Sequence, residues 1–147
     1  MSLTVAEVRQ RVAAALGALP EWTESRYTLD NFGADTRSIS QHAFVVGAPS
    51  TELADAERRQ VLPQGALVVT RLVVRFLHQV RADRQVGDAD DGTDAEQLAI
   101  QTVLAIPRTD LHIVLDAAMA SREVAGDGTW MIHTLTFRAI HQFALQA

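Results

Sequence analysis

The sequence predicts an α+β fold: an antiparallel or mixed β-sheet with two long strands, and two main helices packed on one face. Three observations carry this expectation. Residues 66–81 and 129–145 alternate apolar and polar positions with a period of two, the pattern of strands covered on one side. Residues 5–19 and 93–106 carry apolar residues at helical spacing. No internal repeat or low-complexity tract divides the 147 residues, so one domain spanning 1–147, large enough to bury its own core, is expected.

The first helix is expected over Val5–Leu19. Thr4 followed by Glu7 has capping-box spacing, Val5, Val8, Val12, Leu16 and Leu19 form one apolar stripe, and Pro20 stops the pattern. From Glu21 to Gln41 the signal is weak; Trp22, Tyr27, Leu29 and Phe32 are irregularly spaced, as in a loop with a short strand. His42–Gly47 reads as a strand ended by Gly47 and Pro49. Thr51–Gln60 reads as a charged loop or single helical turn, and Pro63-Gln64-Gly65 as the turn launching the first long strand.

In that strand Val68, Thr70, Leu72, Val74, Phe76, His78 and Val80 share one face, while Leu67, Val69, Arg71, Val73, Arg75, Leu77, Gln79 and Arg81 share the other. At ~3.3 Å per residue the strand spans about 45–50 Å, against a domain diameter of about 40 Å. It is expected to bend or to overhang its own core. The segment Asp83–Asp94, with Asp83, Asp88, Asp90, Asp91 and Asp94, reads as an acidic loop. The second helix is expected from Thr93, which with Glu96 repeats the capping-box spacing, to Ile106 before Pro107. Its stripe is Ala95, Leu98, Ala99, Val103 and Ile106, widened by Ile100 and Leu104. Leu111–Leu115 is a short apolar run, and Ala117–Ala125 is expected to pair with the last strand across Gly126-Asp127-Gly128.

Composition narrows the function classes. There are no cysteines, which excludes disulfides, thiolate metal sites and cysteine nucleophiles. A net charge of −5 argues against a general nucleic-acid binder. All 13 basic residues are arginine, a usage that points to coding bias in a GC-rich genome before it points to function. The N-terminal segment lacks the pattern of a secretory signal, and no apolar run reaches the ~20 residues of a membrane span.

The chemistry-bearing residues form no recognisable motif. In an EF-hand register with Gly92 at the turn, Gly87 and Ala89 replace the first carboxylates and Leu98 the closing glutamate. Asp91 and Asp94 fit a helix N-terminus instead. His133 and His141 share a strand face but stand about 27 Å apart. His42, His78 and His112 lack ligand-pair spacing, so a zinc site would require the fold to gather them. No nucleophile elbow or glycine-rich phosphate loop occurs. No catalytic, cofactor-binding or metal residues are assigned, and no cofactor is expected. The residues expected to meet a partner are Arg71, Arg75, Arg81, Asp83, Asp88, Asp90, Asp91, Trp130 and Arg138, as charges that set register and an aromatic anchor. Arg71, Arg75 and Arg138 on a sheet face are suited to acidic surfaces, including the Asp83–Asp94 segment of a neighbour.

In element order and size the chain resembles the tail terminator, or tail completion, proteins of long-tailed, lambda-like bacteriophages. The resemblance runs through the helix at Val5–Leu19, the strand Phe44-Val45-Val46, the long strand Leu67-Val-Val-Thr-Arg-Leu-Val-Val-Arg-Phe-Leu, the helix from Thr93 to Ile106, and the closing Phe137-Arg-Ala-Ile-His-Gln-Phe. It covers most of the chain without a signature motif. It implies a non-enzymatic virion protein that forms a homo-oligomeric ring, typically of six, on the head-proximal end of the tail. Such a ring stops addition of tube subunits and forms the head–tail joining surface. The implied partners are the chain itself, the tail-tube protein and the head–tail connector, with no membrane and no nucleic-acid sequence recognition. Assembly is then expected in the host cytoplasm. Head–tail joining and minor tail proteins share this look. The readings of another class are a small α+β enzyme or ligand-binding domain with a pocket on the curved sheet, and a two-fold dimeric regulatory domain. A filled core favours assembly; an open cavity lined by His78, His133 and carboxylates favours ligand chemistry.

Overall fold

A computed structural model describes residues 2–32, 41–53, 66–125 and 129–143. In chain order the elements are α1 (Val5–Gly17), β1 (Thr23–Glu24), a 3-10 turn (Leu29–Asn31), β2 (Ala43–Leu53), β3 (Ala66–Gln79), α2 (Gln85–Leu104), β4 (Leu111–Ala125) and β5 (Trp130–Phe143). The strands form one sheet in the order β1-β2-β3-β5-β4. Among the described residues only the β1–β2 pair is parallel; the others are antiparallel. Both helices bury their apolar stripes in the cluster formed by one sheet face. This is the α+β architecture expected from the sequence, with β4 as a third long strand.

Helix α1 starts where Thr4, in extended conformation, accepts a hydrogen bond on its side-chain oxygen from the Glu7 N–H at 3.1 Å. Val8, Val12, Ala13 and Leu16 are buried from it. Thr4→Ala should cost about 1 kcal/mol by leaving that helical N–H without its partner. In a chain of this size a thermal melt should fall by roughly 3–4 °C; an unchanged midpoint would mean that water replaces the cap. The Arg11 guanidinium then ties α1 to the start of β4, donating to both carboxylate oxygens of Asp110 at 2.6 and 3.0 Å.

Strand β2 does not end at Gly47 and Pro49 but runs on to Leu53. The proline is accommodated because the pairing skips there. Gly47 faces Val73 and Ser50 faces Arg71, so one extra residue bulges out and no ladder N–H is required of Pro49. Residues 51–53 of the expected loop are thus strand, while the rest of Thr51–Gln60 and the turn Pro63-Gln64-Gly65 lie outside the described residues. Strand β4 absorbs both Leu111–Leu115 and Ala117–Ala125, with a larger irregularity between Leu115 and Ala120. It pairs with β5 from Ala125–Trp130 onward, as a hairpin requires; the residues Gly126-Asp127-Gly128 themselves lie outside the described set.

Strands β3 and β5 pair without interruption from Ala66–Phe143 to Gln79–Trp130. The inner row of β3, Val68, Thr70, Leu72, Val74, Phe76 and His78, is at most 5% exposed. On this face the strand is buried along its row from Val68 to His78, so no overhang is seen there. On the outer face a smaller cluster of Phe32, Val45, Leu77 and Ile132, with Leu29 and Trp130 against it, covers one end. The remainder of that face carries the charged positions.

The largest departure from the sequence expectation is the acidic segment. It is helix, not loop: α2 begins at Gln85, eight residues before Thr93. Thr93 caps nothing and donates its hydroxyl to the Asp90 carbonyl. Aspartate and glycine are poor helix formers, but tertiary contacts outweigh that weak preference. The face α2 buries contains Asp88, Gly92, Ala95, Glu96, Ala99 and Val103, whereas the expected core residue Leu98 is 43% exposed.

Candidate functional site

On the outer sheet face Arg71 and Arg138 are direct partners across β3 and β5, and both are exposed. They sit in an open groove of about 450 Å³, with Ser50, Thr51, Glu52 and Asp116 also lining it. The bulge in β2 lies beside Arg71, and the irregularity in β4 follows the pairs Val114–Arg138 and Leu115–Phe137. The two central strands thus run straight between two flanking strands that break step, and bulges of this kind re-aim side chains. Among the described residues neither arginine forms an ion pair. Arg75, expected on the same footing, is half-buried and donates from Nη1 to the Leu29 carbonyl at 3.0 Å. It holds the 3-10 turn against the sheet. Trp130 is likewise part of the small outer cluster.

The acidic residues divide in the same way. Asp88 is buried and accepts from the Arg81 backbone N–H at 2.8 Å and from Nε and Nη2 of its guanidinium at 3.0 Å each. These bonds hold its carboxyl well below the usual carboxylate range, and they close the turn between β3 and α2. Arg81 and Asp88 are therefore occupied within the chain. Asp83, Asp90, Asp91 and Asp94 are exposed; Asp90 and Asp94 form no ion pair among the described residues.

A third arrangement bears on the alternative of a cavity lined by His78, His133 and carboxylates. Under the first half of α2 the fold gathers His42, His78 and His133, which lie far apart in sequence. His42 Nε2 and Gln41 Nε2 lie 3.0 and 3.1 Å from His78 Nδ1. The rings of His42 and His78 stack at 5.2 Å, and His133 meets His78 edge-on at 6.3 Å. His133 Nδ1 lies 2.6 Å from Glu96 Oε1, and Arg122 donates to both Glu96 oxygens at 2.7 and 2.6 Å. Burial alone would raise the Glu96 carboxyl, but the bonds from Arg122 and His133 bring it below its ordinary value. Burial depresses His78 and His133, and lowers His42 to about 4 with help from the neighbouring imidazoles. The set is neutral imidazoles around one balanced carboxylate. His42 also adopts a left-handed backbone, φ 59°, which costs a non-glycine residue conformational energy.

Helix α2 lies close over His78 and His133. A Cβ added at Gly92 would lie 3.0 Å from His133 Nε2 and 3.2 Å from His78 Cδ2. Gly92 is what lets α2 lie directly on the rings. Among the described residues no group of His, Asp or Glu has the arrangement of a metal site. At the other end of the inner face Thr51, Thr70 and His141 form a second polar chain, with Thr70 Oγ1 3.1 Å from Thr51 Oγ1 and 2.7 Å from His141 Nε2. Period-two alternation placed His78, His133 and His141 on inner rows, but only the strand order β3-β5 and the placement of α2 bring His78, His133 and Glu96 together. No protein-family model matches the chain, and no curated protein matches it.

Proposed function

We propose that the protein is an assembly subunit of the tail-terminator kind: a homo-oligomer that caps a phage tail tube, stops its growth and offers a surface for joining the tail to the head. The observation that carries this reading is the distribution of charge. Titratable groups of the interior pack against one another, while two charged surfaces stand exposed. One is the outer sheet face with Arg71 and Arg138 beside Glu52 and Asp116; the other is the outside of α2 with Asp90 and Asp94. A terminator requires two such surfaces, one for what lies below it and one for what lies above. Surfaces of this type set register and partner choice. The competing pocket reading needs His78 and His133 to line a cavity; the close approach of Gly92 to both rings favours assembly over it.

The test is negative-stain electron microscopy of the protein alone and mixed with purified tail-tube subunits from the same source. Rings, or tubes that are capped and shortened, are the expected result. Tubes of unaltered length, with no density at either end at saturating protein, would overturn the proposal.

A further inference from the structure

At the end of β3 the lone pair of His78 Nδ1 is shared by two donors. The Gln41 amide is oriented by its Oε1, which accepts from the Gln79 N–H at 2.8 Å. Its Nε2 is therefore the atom 3.1 Å from His78 Nδ1. An amide nitrogen only donates, so His78 carries its ring proton on Nε2, and the ring bonds the Asp88 backbone. His42 Nε2, 3.0 Å from the same Nδ1, can bond it only as a second N–H. Among the described residues, the charged and titratable groups facing His78 are His42 from the residue before β2, His133 from β5, and Asp88 and Asp91 from α2. Asp88 is itself bonded by Arg81, and His133 is bonded by Glu96, which Arg122 also holds.

We propose that His78 is an acid-operated latch: a proton on its Nδ1 expels Gln41 and His42 from the end of β3 while α2 stays docked. Protonation replaces the lone pair by a third N–H, so three donors meet without an acceptor, and buried donors left in that state are costly. The α2 side keeps its bonds. His78 Nε2–H still bonds the Asp88 backbone, the carboxylates of Asp88 and Asp91 gain a positive neighbour, and His133 Nδ1 keeps Glu96 in either charge state. Burial lowers both rings; for His78 the carboxylates Asp88 and Asp91 act against it, whereas for His42 the imidazoles of His78 and His133 add to it. His78 therefore takes the proton ahead of His42. Release also relieves the left-handed backbone of His42, φ 59°. It breaks the bonds from the His42 N–H to the Leu77 carbonyl and from the Gln79 N–H to Gln41. It also unstacks Trp22, whose ring centroid lies 4.8 Å from that of His42. The latch goes beyond the assembly reading and does not depend on it.

Long-range proton–nitrogen correlation spectra at pH 7.5 should show His78 protonated at Nε2 alone; a proton on Nδ1 there would overturn the proposal. Amide exchange, corrected for its intrinsic pH dependence, is then followed from pH 7.5 to 5. Protection at His42 and Gln79 should fall about tenfold further than at Ala99 and Val103 of α2. An equal fall at all of them is global unfolding and overturns the latch, as does no fall at His42. In Trp130→Phe protein the emission of Trp22 should change with the midpoint of the His78 ring, and separate midpoints reject the coupling. Gln41→Ala removes one donor from the lone pair, so the His78 midpoint should rise by roughly half to one pH unit; an unchanged or lower midpoint counts against the proposal. His78→Gln cannot gain a proton and should hold exchange at His42 constant across the range. Acid-induced loss of protection there would place the switch on another group and overturn the assignment to His78.

Discussion

Acidification from pH 7 to pH 4 should strip several kcal/mol of folding stability from the protein, with the loss starting near pH 6.5. His42, His78, His133 and His141 are all depressed by burial from an ordinary value of 6.5, His42 to about 4. Between the folded and unfolded values the unfolded chain binds more protons, so stability rises with pH and falls as pH drops through that window. Each such histidine contributes a slope of up to about 1.4 kcal/mol per pH unit. For His42 alone the window runs from 6.5 to about 4, on the order of 3 kcal/mol. Glu96 and Asp110 are shifted below their ordinary 4.5 and 3.8. Their contribution is present above those values and is lost as pH falls through the lower folded ones, which extends the decline. Urea midpoints at half-unit steps from pH 7.5 to 4 measure the slope. A flat profile from 6.5 to 4.5 would contradict neutral, buried imidazoles. His42→Asn, which tolerates the left-handed backbone, should lower the slope across the window from 6.5 to about 4.

Glu96→Ala should be among the more damaging single substitutions, at about 1–3 kcal/mol, because it leaves a buried N–H without its acceptor. The carboxylate is 4% exposed and satisfies both His133 Nδ1 and the Arg122 fork. Arg122, whose side chain is 47% exposed, turns to water once the carboxylate is gone, but the buried His133 N–H is left with no acceptor. That asymmetry separates two variants. Arg122→Ala should cost less than Glu96→Ala, and Glu96→Gln should fall between Glu96→Ala and the parent, since its amide oxygen still accepts from His133. Equal urea midpoints for Glu96→Ala and Arg122→Ala would show that the charge balance, and not the buried imidazole, is what the carboxylate serves.

The sequence by itself determined the elements that repeat a simple period: α1 with its Thr4 cap, β3 and β5, and the sorting of these two long strands into an inner and an outer row. It therefore also placed Arg71 and Arg138 on one side and His78, His133 and His141 on the other. Those readings hold because side-chain direction follows backbone period within a single element. What only the tertiary structure decided is whatever depends on two elements meeting. The acidic segment became helix because Asp88 reaches back to Arg81 and Gly92 rests on two imidazoles, contacts that no local preference encodes. Pro49 stayed inside a strand because the neighbouring ladder skips a residue at that point. Leu98 left the expected stripe and Glu96, expected in a capping box, is buried because the rotation of α2 about its axis is set by Glu96 bonding Arg122 and His133, and a bonded buried carboxylate is tolerated where an unbonded one is not. Arg75, Arg81 and Asp88 look like surface charges in the chain, yet in the fold they hold the 3-10 turn and the start of α2. Arg71, Arg138, Asp90 and Asp94 are exposed in the fold as in the sequence reading, with no ion pair among the described residues.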